Sequence, residues 1–306
     1  MNSIVGYTGF VGSNIYENGR FDCAYNSKNI DKAFGTNPDL LVYAGLRAEK
    51  YLANCNPTAD MAQIQQAESN IAKIHPKKLV LISTIDVFKT PVNVDENSPV
   101  DLDGLQAYGL NRYSLECWVR ENYPDALIVR LPGLFGKNIK KNFIYDFIHV
   151  IPYMLKPEKV DELGVKAYYD LQPTGFYRVK ADIPKEEIKS VFIASGFTAM
   201  NFTDSRSVYQ FYPLKRLWSD IQTALKNGIL LQHMATEPVS VSELHMFLTG
   251  NRFVNELQGC PAFYDYHTVN VSSYGGNGFY LLSKYDVMSS IKEFVNTEKN
   301  SRNVSY

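Results

Sequence analysis

Apolar residues follow two alternating patterns through the first half of the chain. Ile4–Val5, Cys23–Asn26, Leu40–Tyr43, Leu79–Ile82 and Leu127–Val129 are short, nearly unbroken runs that read as buried strands. Between them, apolar positions recur at helical spacing. Val11 and Ile15 share one face, which Gly19 ends. Met61, Ile64, Ala67 or Glu68, Ile71 and Ile74 predict a helix from Thr58 to Lys73, closed by Pro76. A further helix is expected from Gln106 to Asn122, with Leu110, Tyr113, Cys117, Leu115 and Val119 turned inward. Strand and helix in alternation predict an α/β fold with a doubly wound parallel sheet.

The pattern loosens after the Leu127–Val129 strand. Residues 137–204 are richer in Tyr, Phe, Pro and Lys and less regular. Leu214, Leu217, Ile221 and Leu225 then mark a helix. Ser240 and Glu243 form a capping box ahead of Leu244 and Phe247, and Val287, Ile291, Phe294 and Val295 predict a helix near the C-terminus. The expected division is a nucleotide-binding domain over 1–136 and 205–236, and a smaller interleaved lobe over 137–204 and 237–306.

A chain of 306 residues can bury a large core, and its net charge of −1 gives no reason to expect nucleic acid or an anionic membrane as partner. No apolar run is long enough to span a bilayer. The four cysteines form no C-x-x-C and the five histidines no H-x-x-x-H, so no metal site is expected. No charged-then-apolar leader precedes the first strand, and a cytoplasmic protein with free thiols is the expectation.

The first strand runs into Gly6-Tyr7-Thr8-Gly9-Phe10-Val11-Gly12. Strand, glycine turn and helix together suit a pyrophosphate. The glycines allow a tight turn and close backbone approach, and the helix start offers free N–H groups at its positive dipole end. A glycine turn of this kind can also be only a turn. Ser27 and Lys28 follow the second strand, where an acidic residue would meet the adenosine ribose of NAD. Lys28 there suits the 2′-phosphate of NADP, or is simply exposed in a turn. Ala44 and Gly45 are small residues at a strand end, which leaves room for a cofactor.

Chemistry concentrates in Ser83-Thr84 and in Tyr108-Gly109-Leu110-Asn111-Arg112. Tyr108 and Arg112 lie four apart on one helix and share a face. Hydride transfer to a carbonyl needs an acid for the nascent alkoxide, and a tyrosine near a cation can serve. A Thr84 or Ser83 hydroxyl can hold the carbonyl oxygen.

On these residues, with Ser83-Thr84-Ile85-Asp86-Val87-Phe88 and Arg130-Leu131-Pro132-Gly133-Leu134-Phe135-Gly136, the chain resembles the extended short-chain dehydrogenases/reductases of the NAD-dependent epimerase/dehydratase group. The Ser83–Phe88 stretch is similar to that of dTDP-4-dehydrorhamnose reductases, and the short second strand to those enzymes and to GDP-fucose synthases. The resemblance implies a Rossmann-type sheet with a smaller substrate-binding lobe. It implies NADP or NAD held by Gly6, Thr8, Gly9, Phe10, Val11, Gly12, Ser27, Lys28, Ala44, Gly45, Tyr108 and Arg112. Tyr108 would be the acid/base and Thr84, or Ser83, would hold the reacting oxygen. The group carries a lysine four residues after its tyrosine; here it is Arg112, which keeps the charge but cannot pass on a proton.

The resemblance also places Lys140, Lys141 and Asn142 where relatives bind the diphosphate of a nucleotide sugar, though two lysines there equally suit a solvated turn. Arg206, Gln210 and Tyr212 fall in a stretch that faces substrate in relatives; the run Tyr209-Gln210-Phe211-Tyr212 also reads as a buried strand. The expected function is reduction of a keto-sugar carried on a nucleotide. Epimerase or dehydratase chemistry with tightly held NAD is the second reading, and a non-catalytic NAD(P)-binding protein the third. Relatives suggest a homodimer.

Overall fold

The structure is a computed structural model and describes residues 1–173, 175–276 and 278–303, with side chains to residue 300. It divides into two compact units. The first comprises 1–139, 208–239 and 263–290; the second comprises 140–207, 240–262 and 291–306.

The first unit is built on a six-stranded sheet. Its strands are β1 (Asn2–Val5), β2 (Cys23–Tyr25), β3 (Leu40–Tyr43), β4 (Leu79–Thr84), β5 (Leu127–Leu131) and, at one edge, Leu231–His233. Every pairing is parallel, and from that edge the order runs β5, β4, β3, β1, β2. The chain therefore reverses its direction of progress between β1 and β3, where ligands bind in open sheets of this kind. Residues of β1, β3, β4 and β5 enter two apolar clusters, one holding Ile4, Val42, Val80 and Val129, the other Val5, Leu41, Leu81 and Ile128. That two-sided burial explains why the strands read as apolar runs rather than alternating ones.

Four helices follow the strands: α1 (Phe10–Asn18), α2 (Lys50–Cys55), α3 (Pro57–Ile74) and α4 (Ala107–Asn122). The Asn56 side chain caps α3 by accepting from the Ala59 N–H. The inward face of α4 differs from expectation. Leu115 and Val119 are fully buried, but Leu110 and Cys117 are exposed, and Tyr108, Asn111, Arg112 and Glu116 share the interior with them. Charged side chains occupy that face because each has a partner there, which apolar periodicity cannot register.

The second unit holds a three-stranded antiparallel sheet in which Tyr177–Val179 lies between Met154–Leu155 and Tyr169–Leu171. Its core gathers Leu155, Val160, Val165, Tyr169, Ile188 and Phe192. The helix Val241–Thr249 opens with the expected capping box between Ser240 and Glu243. Residues 263–290, expected in the smaller lobe, belong to the first unit. Tyr266 is fully buried with Ile85, Val87 and Ala235, and Thr268 donates to the Glu96 carboxylate.

Candidate functional site

The glycine turn joins β1 to α1 at the sheet's reversal point. Gly6 has a φ of +91°, and a Cβ there would stand 2.3 Å from the Ala44 carbonyl oxygen. A Cβ on Gly12 would stand 2.1 Å from the Gly6 oxygen. Both positions are closed to any side chain. The Gly9 N–H donates to the Gly6 carbonyl, and the Ala44 N–H donates to Val5. Ala44 and Gly45, at the end of β3, thus lie directly against the turn. Phe10 and Val11 pack onto the core, while Thr8 and Gly9 are exposed. Gly9 caps α1 without a side chain, so no side-chain acceptor covers the first N–H groups of the helix. This cradle fits a pyrophosphate.

Ser27 and Lys28 are exposed in the turn after β2. The Asn26 side chain accepts from the Lys28 N–H, and Asn29 accepts from the Asn26 N–H, so local amides shape the turn and leave the lysine side chain out of it.

Thr84 ends β4, and its Oγ1 accepts from the Asp86 N–H at 3.2 Å. The first turn of α4 rests on the turn Ile85–Val87: a Cβ on Gly109 would stand 2.1 Å from the Asp86 oxygen. Only glycine allows that approach, and it brings Tyr108 into the neighbourhood of Thr84. The Tyr108 N–H donates to Asn54 of α2. Burial raises the Tyr108 phenol above its ordinary range; Arg112 opposes the rise, Asp86 adds to it, and the Thr84 hydroxyl acts with Arg112.

Arg112 stands over this tyrosine, its guanidinium carbon 3.9 Å from the ring centroid. It donates to Asp60 of α3 at 2.5 Å, to the Arg47 carbonyl at 2.8 Å and to the Tyr108 carbonyl at 3.3 Å. Asn111 also donates to Asp60, at 2.9 Å. Nearby, Lys50 pairs with Asp86 at 3.0 Å, and the Tyr264 hydroxyl donates to the same carboxylate at 3.1 Å.

Ser83 is drawn the other way. Its hydroxyl donates to Glu116 at 2.6 Å. Glu116 is fully buried and also binds Arg130 through both its oxygens, and Arg120. Arg130 continues to His233 Nε2 at 3.2 Å, and His233 Nδ1 lies 3.0 Å from the His267 carbonyl. The consistent tautomer carries its proton on Nδ1 and accepts from Arg130. Burial, then the Arg130 charge, push His233 down to about 3. Ser83 is thus committed to a buried ionic cluster, and Thr84 is the hydroxyl beside Tyr108.

The expected substrate residues separate into two kinds. In the second unit, Lys140 and Lys141 are exposed, while the Asn142 side chain caps the helix Phe143–His149 by accepting from Ile144 and Tyr145. Arg206 grips both oxygens of Asp204, at 3.0 and 2.6 Å, and the Leu257 carbonyl. Gln210 and Tyr212 correct the expectation. Both are buried within the first unit: the Gln210 amide donates to the Thr236 and Tyr266 carbonyls, and the Tyr212 hydroxyl donates to Asp220. A side chain enclosed in this way has no face for a substrate, and the buried-strand reading describes Phe211–Pro213, which pairs with Gly133–Phe135.

Asp60, Glu116, Arg130 and His233 were not anticipated. One signal was present: Tyr108, Arg112, Glu116 and Arg120 recur every four residues, a polar stripe along α4. Among the described residues no cluster of His, Cys, Asp and Glu could hold a metal, and no helix is long and apolar enough to cross a membrane.

No family model matches the chain, and no curated protein matches it. Solved structures do. A dTDP-4-dehydrorhamnose reductase from Clostridium acetobutylicum is 14% identical with a TM-score of 0.61, covering 97% of this chain and 98% of its own. The reductase from Bacillus anthracis, in complex with NADP, is 16% identical with a TM-score of 0.61, over 97% of both chains. The Bordetella bronchiseptica enzyme WbmG, in complex with NAD and UDP, is 12% identical with a TM-score of 0.64, over 97% of this chain and 94% of its own. The chain has the Rossmann-type α/β fold that these proteins share.

Proposed function

We propose that the protein is an NAD(P)-dependent oxidoreductase acting on a nucleotide-activated sugar, and that it reduces a keto-sugar. The observation that carries this reading is the grouping of Tyr108, Thr84 and Arg112 at the end of β4, in the same unit as the glycine cradle. Solved structures of this fold include enzymes in complex with NADP and with NAD and UDP, which supports the choice of cofactor and substrate class.

The cradle from Gly6 to Gly12 would hold the pyrophosphate, Ala44 and Gly45 would line the adenosine ribose path, and Lys28 with Ser27 would meet a 2′-phosphate. A bound nicotinamide would supply a hydride to the carbonyl carbon. The protein's own part is proton transfer and positioning. The Thr84 Oγ1 accepts from the Asp86 N–H, which leaves its proton to donate, to Tyr108 in the resting site and to the carbonyl oxygen of a bound substrate. Tyr108 Oη then gives its proton to that oxygen as charge develops on it. Lys140 and Lys141, exposed in the second unit, are suited by charge to a diphosphate.

Turnover of a nucleotide keto-sugar with NADPH tests the reading. Tyr108→Phe is expected to lower kcat by about 10²–10⁴-fold while NADPH binding, followed by nicotinamide fluorescence, survives. Binding of NADPH with no turnover in either protein would leave the non-catalytic reading standing. Failure to bind either dinucleotide would remove both.

A further inference from the structure

We propose that Lys50, Asp86 and Tyr264 form a receptor for the neighbouring hydroxyls of a sugar ring, with Asp86 and Lys50 touching the ring and Tyr264 positioning the carboxylate. This role rests on the oxidoreductase reading, within which two ligands carry such hydroxyls: the cofactor through its nicotinamide ribose, and the substrate through its sugar.

The receptor is built on one carboxylate. Asp86 Oδ1 accepts from Lys50 Nζ at 3.0 Å and from the Tyr264 hydroxyl at 3.1 Å. The other oxygen, Oδ2, takes no bond from the described residues. Among those residues the buried side-chain atoms without a partner are Ser3 Oγ and Gln232 Oε1, so Asp86 Oδ2 is unbonded because it is open to solvent. The Asp86 side chain is 21% exposed and that of Lys50 45%, and Asp86 takes only one of the ammonium's donors. Tyr264 is held in turn: its N–H donates to the Val208 carbonyl, and its ring centroid lies 5.9 Å from that of Tyr209. All of these residues belong to the first unit.

An open carboxylate oxygen beside an ammonium sets an acceptor and a donor side by side. One hydroxyl of a ring can donate to Oδ2 while its neighbour accepts from Nζ, and both bonds are charge-assisted. The pair as a whole is neutral, which suits a polyol better than a phosphate.

Its place in the sheet agrees. β3 stands between β1, which runs into the glycine cradle, and β4, which ends in Thr84. Lys50 opens α2, after β3, and Asp86 follows Thr84, so their bond joins the ends of β3 and β4. A dinucleotide running from the cradle toward Tyr108 crosses those ends, and a sugar whose carbonyl oxygen meets Thr84 brings its other hydroxyls to the same place. Arg112 has no such opening: its side chain is 5% exposed and bonded to Asp60 and to two backbone carbonyls.

The test is binding rather than turnover, because Asp86 also bears on the Tyr108 phenol. Full-length parent and Asp86→Asn protein are titrated by calorimetry with NADPH and NADH. The matching fragments, 2′,5′-ADP and ADP, stop before the nicotinamide ribose. UDP-glucose and UDP form the second arm. Asp86→Asn is expected to weaken a complete ligand about tenfold and to leave its fragment unchanged. A loss on the dinucleotides identifies the nicotinamide ribose, and a loss on UDP-glucose the substrate sugar. Tyr264→Phe should weaken the same ligand about twofold and again spare the fragment, whereas a role confined to folding would weaken both. Lys50→Met, at an exposed side chain, carries the same expectation if Asp86→Asn does not fold. Unchanged affinity for every complete ligand, or equal loss on ligand and fragment, overturns the proposal. Failure of the oxidoreductase reading shows separately, as a parent protein that binds neither dinucleotide.

Discussion

The interiors of the two units treat charge differently. In the first, buried charges are paired: Asp60 with Arg112, and Glu116 with Arg130. In the second, the gathered core is aliphatic and aromatic, the buried Asp204 is held by a partly exposed Arg206, and desolvation pushes Asp146 up to about 7. Burial of a charge without a matched partner is resolved by neutralisation; burial with one preserves the charge and its direction in space. The chemistry proposed for Tyr108 needs fixed charges, and it sits in the unit whose ion pairs are buried on both sides.

The contrast is open to direct attack. Glu116→Gln strands Arg130 and should produce the largest loss, about 3–5 kcal/mol in urea denaturation. A loss under about 1 kcal/mol would mean that the pairing is incidental.

Acid should act on His233 and Asp146 with opposite sign. His233 is held near 3 against an ordinary 6.5, so between those values the unfolded chain binds a proton that the folded one does not. Its contribution is present above 6.5 and is lost as pH falls toward 3. Asp146 is held near 7 against 3.8, so there the folded chain binds the extra proton and acidification adds stability. Asp146→Asn should therefore steepen the loss of stability on acidification. It should also raise stability above pH 7 by about 1–2 kcal/mol, since an asparagine has no ionised form to bury. A pH dependence identical to the parent would show that Asp146 ionises without cost.

Smaller effects separate the surface residues. Lys28→Ala should weaken NADPH binding about tenfold and leave NADH unchanged, measured by fluorescence titration; equal weakening of both would remove the 2′-phosphate role. Arg206→Gln should cost less than Glu116→Gln in the same denaturation, because the arginine is 40% exposed although the Asp204 carboxylate is only 8% exposed.

The strands, the glycine turn and the Tyr108–Arg112 face were legible in the sequence, because each is a local pattern. Burial of β1, β3, β4 and β5 shows as continuous apolar runs. Gly6 and Gly12 show because no other residue fits where a Cβ would meet backbone at 2.3 and 2.1 Å. Apolar periodicity assumes that helices bury oil and so places Leu110 and Cys117 on the inward face of α4, where the structure leaves both exposed. At Gln210 and Tyr212 the sequence leaves substrate contact and buried strand both open, because chemistry-bearing side chains look alike in sequence whether they face solvent or a buried carbonyl.

Local sequence thus determined the α/β order, the glycine turn and the Tyr108–Arg112 face. Tertiary structure decided which charges meet: Asp60 reaches Arg112 across 52 residues, and His233 reaches Arg130 across 103. A charge's partner sets whether it is a ligand, a plate under a ring or part of the core, and partners separated by that much chain are brought together only by packing helices onto a sheet.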